Sequence, residues 1–150
     1  MLSMKPLLSL VAVLAASASF AAEGPWMTDY AAAVKKAKAQ NKALLLDFTG
    51  SDWCGPCIRL KKTVYDTPEF AAWAKKNVIL VELDFPRRKI QSDKLMKQNE
   101  GLAVKYQVDG FPTVLIIDAN GKPKGRLGYT PRMTPAQFIG EANQALAKKS

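Results

Sequence analysis

The chain reads ALLLDFTGSDWCGPCIRL over residues 43–60, and this stretch contains both a candidate core segment and the two cysteines of the chain. Its first part, Ala43 to Phe48, is too short for a globular helix and too apolar for a half-exposed strand, so we expect a buried strand. Its second part places Pro56 between two cysteines and continues with apolar residues at helical spacing. Because proline is favoured in the first turn of a helix, the stretch predicts a strand, a loop, and a helix that begins at the cysteine pair.

Cys54 and Cys57 are the two cysteines of the chain. A thiol in the first helical turn lies next to unsatisfied N–H groups and the positive end of the helix dipole, which stabilise the thiolate. Lowering a thiol pKa from about 8.5 to about 7 raises the thiolate fraction at neutral pH from roughly 3% to roughly half. Cys54 is therefore a candidate nucleophile. Cys57 lies on the same helix face, placed to attack a mixed disulfide formed by Cys54.

Two other uses of this cysteine pair are open. A structural disulfide closing a four-residue loop would stabilise the fold by only about 1.9 kcal/mol, against about 4.7 kcal/mol for a hundred-residue loop. A metal or cluster shared between two chains is the second alternative, because two such pairs would supply four thiolates. We favour thiol–disulfide exchange.

The composition excludes several classes of site. The chain has no histidine, which removes Ser-His-Asp and Cys-His nucleophilic sites, and two thiols without histidine cannot complete a four-ligand zinc site within one chain. We therefore expect no metal. The formal net charge is +9, and a hydrophobic fraction of 48% is typical of an ordinary globular domain.

The N-terminus has the pattern of a secretory signal. Lys5 precedes a twelve-residue apolar run from Leu7 to Ala18, and Ser19-Phe20-Ala21 fits the small-x-small cleavage rule. Twelve helical residues span roughly 18 Å, short of the roughly 30 Å hydrocarbon core, so an uncleaved anchor is the less favoured alternative. We expect residues 1–21 to be a signal peptide, and the mature chain to be soluble in the periplasm or another extracytoplasmic space.

The remaining residues, 22–150, have the length of one domain. Helices alternate with buried strands, and the pattern ends in a hairpin, which predicts an α/β fold with a mixed central sheet flanked by helices. Besides the opening strand and helix, the predicted elements are a helix from Thr28 or Asp29 to about Asn41, a helix opened by Asp66 or Thr67 before Pro68, a strand at Val78 to Asp84, a helix capped by Ser92, a strand at Thr113 to Asp118, an Asn120-Gly121 turn, a strand at Lys124 to Gly128, and a helix opened by Thr134-Pro135.

Two motifs resemble the thioredoxin family. Trp53-Cys54-Gly55-Pro56-Cys57 is that family's W-C-G-P-C motif, and Gly110-Phe111-Pro112-Thr113 before an apolar strand resembles its cis-proline loop. The similarity covers roughly Ala43 to the C-terminus and includes the order of the elements. It implies a thioredoxin fold with an insertion within Phe85 to Asn99, before the helix that precedes the cis-proline loop. Such insertions occur in exported thioredoxin-like proteins with narrow partner ranges.

The resemblance also implies a substrate-binding surface. Pro112 would be cis and lie beside Cys54, and the backbone of Phe111 would pair with an extended substrate segment. A shallow apolar patch would receive the substrate disulfide, although its aromatic residues could instead be ordinary core residues. The residues implied for this patch are Trp53, Gly55, Pro56, Phe111, Leu127 and Gly128.

Asp47 resembles the family's buried carboxylate, with the implied role of proton acceptor for Cys57 and a pKa raised by desolvation. Two departures bear on this role. Seven positions separate Asp47 from Cys54 where thioredoxins have six, so Asp47 could point elsewhere. Glu82 stands where thioredoxins often have lysine, and a second acid would raise the pKa of Asp47 further. Asp52 is another candidate, although a loop carboxylate at a helix start is more often a solvated cap.

The predicted function is an extracytoplasmic thiol–disulfide oxidoreductase. Gly55-Pro56 is the dipeptide of reducing thioredoxins, and strong exported oxidants usually carry a histidine there, so we expect a reductase. Disulfide isomerase, oxidase, and a non-enzymatic thioredoxin-fold binding module are the alternatives.

We expect the partners to be disulfide-bearing proteins and a membrane electron donor that re-reduces the pair, because the chain has no nicotinamide or flavin signature. No cofactor beyond the Cys54–Cys57 disulfide is expected, and we expect a monomer. Nucleic-acid binding has no supporting motif. Most basic residues fall on predicted helix surfaces; the loop cluster Arg87-Arg88-Lys89 could favour acidic partners or anionic membranes.

Overall fold

The structure is a computed structural model, and it describes residues 25–149. The predicted signal peptide and its cleavage point lie outside the described residues. Among the described residues, no helix is both long and apolar enough to cross a membrane.

A five-stranded mixed sheet forms the centre of the fold, in the order β1-β3-β2-β4-β5. The central strand, β2, runs parallel to β3 and antiparallel to β4, and β4 and β5 form the predicted hairpin. The sheet confirms the predicted thioredoxin architecture. The strands span Trp26–Met27 (β1), Ala43–Thr49 (β2), Val78–Asp84 (β3), Thr113–Ile117 (β4) and Pro123–Leu127 (β5).

Helices cover both faces of the sheet. Successive leucines of β2 alternate between two cores: Leu45 packs with Leu60, Phe70 and Phe138 on one face, while Leu44 and Leu46 pack on the other. This two-sided burial explains why β2 is apolar at almost every position. The helices span Tyr30–Gln40 (α1), Gly55–Leu60 (α2), Pro68–Asn77 (α3), Asp93–Lys105 (α4) and Pro135–Ala147 (α5), and α2 continues into a π-helical turn at Lys61–Tyr65.

The helix starts agree with the predicted caps. The side chains of Asp29, Thr67, Ser92 and Thr134 each accept a hydrogen bond from a backbone N–H in the first turn of their helix. Each such cap typically stabilises a protein by about 1 kcal/mol. Local sequence therefore sets where these helices begin.

One strand was not predicted. β1 has only two residues, Trp26 and Met27, which pair in parallel with Leu80 and Val81 at the edge of the sheet. Two residues are too few to show the alternating pattern by which strands are recognised. The sheet therefore begins earlier in the chain than the sequence indicated.

Candidate active site

The two cysteines lie where β2 leads through a short loop into α2, and their sulfur atoms are joined in a disulfide. Cys54 is the N-cap residue of α2, and its Sγ accepts a hydrogen bond from the Cys57 N–H at 3.3 Å. Pro56 lies in the first turn, as predicted. A sulfur atom that already faces a first-turn amide is in position to be stabilised as a thiolate when the pair is reduced.

The disulfide lies just beneath the surface. Cys54 and Cys57 are 5% and 4% exposed, Gly55 between them is exposed, and Pro56 is half-buried. The pair is thus largely shielded from bulk water, although the glycine between the two cysteines is exposed.

The cis-proline loop packs against the cysteine motif. The Phe111–Pro112 peptide bond is cis. The rings of Trp53 and Phe111 meet edge-to-face with centroids 5.9 Å apart, and both residues are half-buried. The structure therefore brings together two motifs that lie 58 positions apart, counted from Cys54 to Pro112 (112 − 54 = 58).

Trp53 is held by loop residues rather than by the two cores. Its Nε1–H donates to the Phe85 carbonyl at 2.8 Å, and the Arg87 guanidinium lies 3.7 Å from the ring centroid. Gly50 packs against the indole so closely that a Cβ at that position would lie 2.5 Å from a ring atom. Trp53 is therefore fixed by contacts with the loop after β3 and with Gly50, and its side chain stays half-exposed.

Two of the expected patch residues behave differently. Leu127 is 7% exposed, lies opposite Val114 in the β4–β5 pair and belongs to the core, so its side chain adds almost no surface. The expectation that Leu127 lines the patch is corrected in this respect, because the last residue of β5 points inward. Gly128 is exposed, and its N–H donates to Glu141 at 3.0 Å.

A cavity of about 140 Å³ lies behind Cys57, and Asp47 lines it together with Glu82 and Tyr65. The longer loop between Asp47 and Cys54 thus leaves this carboxylate on the same cavity as the second cysteine. Asp47 and Glu82 are register partners on β2 and β3, so the two acids are neighbours across the sheet.

The Asp47 carboxyl is buried without a full set of hydrogen bonds. Its Oδ1 and the Tyr65 hydroxyl both lack a partner with hydrogen-bonding geometry among the described residues. Burial first, and then the negative charges of Glu82 and Asp84, raise the pKa of Asp47 to about 8, although the nearby Tyr65 hydroxyl opposes this rise. The pKa of Glu82 is raised as well, first by burial and then by Asp84. A carboxyl with a pKa near that of a thiol is suited to exchange a proton with one.

Asp52 has a different role from the solvated helix cap that was considered for it. Its carboxylate accepts hydrogen bonds from the backbone N–H groups of Arg87, Arg88 and Lys89 at 2.8–2.9 Å, and Cys54 takes the cap position instead. These hydrogen bonds, that of Arg87 first, lower the pKa of Asp52 to about 2 despite some desolvation. Asp52 therefore ties the loop after β3 to the cysteine motif.

Sequence reasoning missed three contributors to the site. Tyr65 faces the cavity of Asp47, Phe85 accepts from Trp53 and packs on Phe111 at a ring distance of 4.9 Å, and Lys61 also lines the cavity. Lys61 and Tyr65 follow Cys57 by one and two helical turns, so helical spacing from the cysteine could have predicted that they lie near it. No local sequence pattern indicates that Phe85 lies at the site. Within residues 25–149, no three Cys, Asp or Glu side chains are grouped to hold a metal ion.

Comparisons with known proteins agree with this geometry. A family model described as a thioredoxin-like domain matches residues 30–143. The disulfide bond reductase DsbH of Chlamydia pneumoniae is 38% identical over 117 residues, which cover 78% of this chain and 70% of that protein. The thioredoxin-related protein DsbJ of the same organism is 30% identical over 103 residues, or 69% of this chain and 30% of that protein.

Solved structures give the same result. A structure of a DsbH oxidoreductase superimposes with a TM-score of 0.76 and 35% identity, covering 83% of this chain and 85% of the other. The oxidised C-terminal domain of Neisseria meningitidis DsbD is 20% identical with a TM-score of 0.57, covering 77% and 90% of the two chains, and so supports the fold alone.

Proposed function

We propose that this chain, which belongs to the thioredoxin-like domain family, reduces protein disulfides outside the cytoplasm. The chain is a thiol–disulfide oxidoreductase of the DsbH and DsbJ type, with the Cys54–Cys57 pair as its redox centre. The observation that best supports the proposed reduction is that Cys54 Sγ lies at the start of α2 and accepts a hydrogen bond from the Cys57 amide.

The first step uses Cys54 in the reduced protein. Its thiolate attacks one sulfur of a substrate disulfide, which forms a mixed disulfide and releases the other substrate sulfur as a thiolate. The positive end of the helix and the Cys57 N–H favour the thiolate form. The cis Pro112 loop and Trp53, which pack together beside the motif, offer the surface that receives the substrate segment.

The second step uses Cys57 and Asp47. Cys57 gives its proton to the Asp47 carboxylate and attacks Cys54 Sγ, so the mixed disulfide breaks and the second substrate sulfur leaves as a thiolate that takes up a proton. Two electrons pass from the dithiol to the substrate disulfide, and the protein is left with the Cys54–Cys57 bond. The cavity that Asp47 and Cys57 both line supports this role for Asp47.

Three observations support the reducing direction, and a fourth supports the location. The dipeptide between the cysteines is Gly55-Pro56, the chain has no histidine to stabilise the reduced form further, and the similar DsbH is named a disulfide bond reductase. The signal-like residues 1–21 support export. Electrons would then come from a membrane carrier, and proteins with misplaced disulfides would be the substrates.

Insulin reduction by the full chain and two variants tests the proposal. We expect turnover by the wild-type protein, none by Cys54→Ser, and a trapped mixed disulfide without turnover by Cys57→Ser. The reduction potential, measured against glutathione, should lie closer to about −270 mV, as in thioredoxin, than to about −120 mV, as in strong oxidants. A potential at the oxidising end, or turnover that survives Cys54→Ser, would contradict the proposal.

A further inference from the structure

Residues 85–91 form a loop after β3 that lies against the cysteine motif. At its start, the Phe85 carbonyl accepts from Trp53 Nε1 at 2.8 Å, and the Phe85 ring packs on Phe111. At its end, Gln91 Nε2 donates to the Asp84 carbonyl at 3.2 Å. The loop therefore borders the surface formed by the cysteine motif and the cis-proline loop.

The middle of the loop is fixed by Asp52, two residues before Cys54. Three consecutive backbone N–H groups, those of Arg87, Arg88 and Lys89, donate to its carboxylate at 2.8–2.9 Å. Charge-assisted hydrogen bonds of this kind are about twice as strong as neutral ones. The loop thus keeps one position relative to the cysteines, which lowers the entropy cost of binding a partner there.

The side chains of this loop keep their positive charge available. Arg87, Arg88 and Lys89 are exposed, and within residues 25–149 none of them is in an ion pair within 4 Å. Lys89 Nζ donates to the Ser51 hydroxyl at 3.1 Å, and Ile90, the next residue, is fully exposed. Asp52 is occupied by backbone amides, so the loop presents three cations beside one apolar side chain.

Arg87 links this charge to the substrate-facing aromatic residue. Its guanidinium lies 3.7 Å from the centroid of the Trp53 ring, and Trp53 directly precedes Cys54. A stacked guanidinium keeps its N–H donors in one plane, the geometry that matches a carboxylate. A peptide attacked by Cys54 would therefore meet this guanidinium next to the reacting cysteine.

We propose that the loop Arg87-Arg88-Lys89 is a docking element that selects substrate segments with aspartate or glutamate beside the cysteine under attack. This inference rests on the proposed function, because it concerns the substrates of the same site. A peptide is favoured over a membrane surface as the partner, since the loop is fixed to Trp53 and Phe111, the residues that an extended segment would contact.

Three disulfide peptides that differ only in two residues flanking the cysteine test this inference with the full chain. With aspartate, asparagine or lysine at these positions, we expect kcat/KM to be about tenfold higher for the aspartate peptide than for the asparagine peptide at low salt, and lowest for the lysine peptide. The preference should fall as salt rises to about 0.5 M, because exposed charges are then screened.

Two charge-matched variants locate the effect. R87Q/R88Q/K89Q should bring the aspartate-to-asparagine ratio of kcat/KM close to one, whereas K35Q/K36Q/K38Q, which removes three exposed charges from α1, should leave the ratio unchanged. If the triple variant does not fold, R88Q/K89Q replaces it in this test, because it keeps the Arg87–Trp53 contact; it should lower the same ratio. Equal rates for all peptides with the wild-type protein, or an equal loss of the ratio in both triple variants, would overturn the inference.

A binding measurement separates this inference from the proposed function. The same peptides with serine in place of cysteine should bind in the order aspartate, asparagine, lysine, whether or not the protein reduces disulfides. Reduction of all peptides without preference would refute the docking element and leave the reductase intact. Binding to anionic phosphatidylserine vesicles without any peptide preference would also refute it, and would assign the loop to a lipid surface.

Discussion

Asp47 and Asp52 are the same residue type, five positions apart, and both precede Cys54 in the chain. Asp47 lies in β2, is buried with an Oδ1 that has no hydrogen-bond partner within residues 25–149, and has its pKa raised to about 8. Asp52 lies in the following loop, accepts three backbone hydrogen bonds, and has its pKa lowered to about 2. Burial among other acids favours the neutral carboxyl, and amide donors favour the charged one.

The contrast separates two functions within one site. Behind Cys57, a poorly hydrogen-bonded carboxyl can take and return a proton near neutral pH. Two residues before Cys54, the Asp52 carboxylate is ionised and hydrogen-bonded to three backbone amides, so it fixes the loop after β3 and exchanges no proton near neutral pH. Variants of the two aspartates and their neighbours test whether these two environments are as different as their hydrogen bonds indicate.

The largest expected effect is on the pH dependence of stability. The raised pKa of Asp47 means that the folded protein holds a proton that the unfolded chain releases near pH 3.8, so stability should fall as pH rises from about 4 to about 8. At about 1.4 kcal/mol per pKa unit, this loss is on the order of 5 kcal/mol. Urea unfolding of the oxidised protein measures this. The free energy of unfolding of Asp47→Asn, relative to that of the wild type, should be higher at pH 9 than at pH 5.

Asp52→Asn is the matched control for that measurement. Because the pKa of Asp52 is lowered, its contribution to stability is present above about pH 4 and is lost as pH falls towards 2. The difference between this variant and the wild type should therefore be flat from pH 5 to pH 9. A flat difference for Asp47→Asn would contradict the raised pKa.

The next effect is on the rate of the second chemical step. Asp47→Asn removes the proposed proton acceptor of Cys57, and we expect about a 10²-fold slower release of substrate from the mixed disulfide at pH 7. The wild-type rate should rise with pH through about 8, and the variant should lack this inflection. Single-turnover kinetics measure both. A rate for Asp47→Asn equal to that of Asp52→Asn would show that Asp47 takes no part.

Gly50→Ala should disturb the front of the site without changing a charge. The added Cβ would lie 2.5–2.8 Å from three atoms of the Trp53 indole, including the Nε1 that donates to the Phe85 carbonyl, so the ring or its loop must shift. We expect a loss of about 1–3 kcal/mol in unfolding free energy and a change in tryptophan fluorescence. Gly101→Ala in α4, where nothing lies within 4 Å of the added Cβ, should instead be neutral or slightly stabilising.

A smaller effect is expected from Glu82→Gln. Glu82 lies opposite Asp47 in the β2–β3 register and raises its pKa, so neutralising it should move the inflection of the single-turnover rate to lower pH. Glu100→Gln, an exposed change in α4, should leave the inflection in place. An inflection unmoved by Glu82→Gln would show that Glu82 does not raise the pKa of Asp47.

The smallest effect is local and concerns the loop. Asp52→Ala removes the acceptor of the Arg87, Arg88 and Lys89 amides, which should then exchange with solvent faster while the amides of β2 and β3 keep their protection. Native-state hydrogen exchange gives the comparison residue by residue. Unchanged exchange at these three amides would mean that other contacts hold the loop.

Local features account for what could be predicted. The β3 bounds, the caps Asp29, Thr67, Ser92 and Thr134, and the cysteines at a helix start all depend on residues within a few positions of one another. β1 was not predicted because two residues show no pattern. The burial of Leu127 was not predicted because it depends on which face of β5 meets the core.

The chain by itself determined its redox chemistry, since two thiols three residues apart at a proline-marked helix start need only local backbone geometry to react in turn. The folded structure alone decided which acid faces Cys57 and which loop borders Cys54. Asp47 shares a cavity with Cys57 and Glu82 through strand register, and Asp52 reaches amides up to 37 positions away. Contacts over such separations depend on how the strands align and where the loops run, which no short segment encodes.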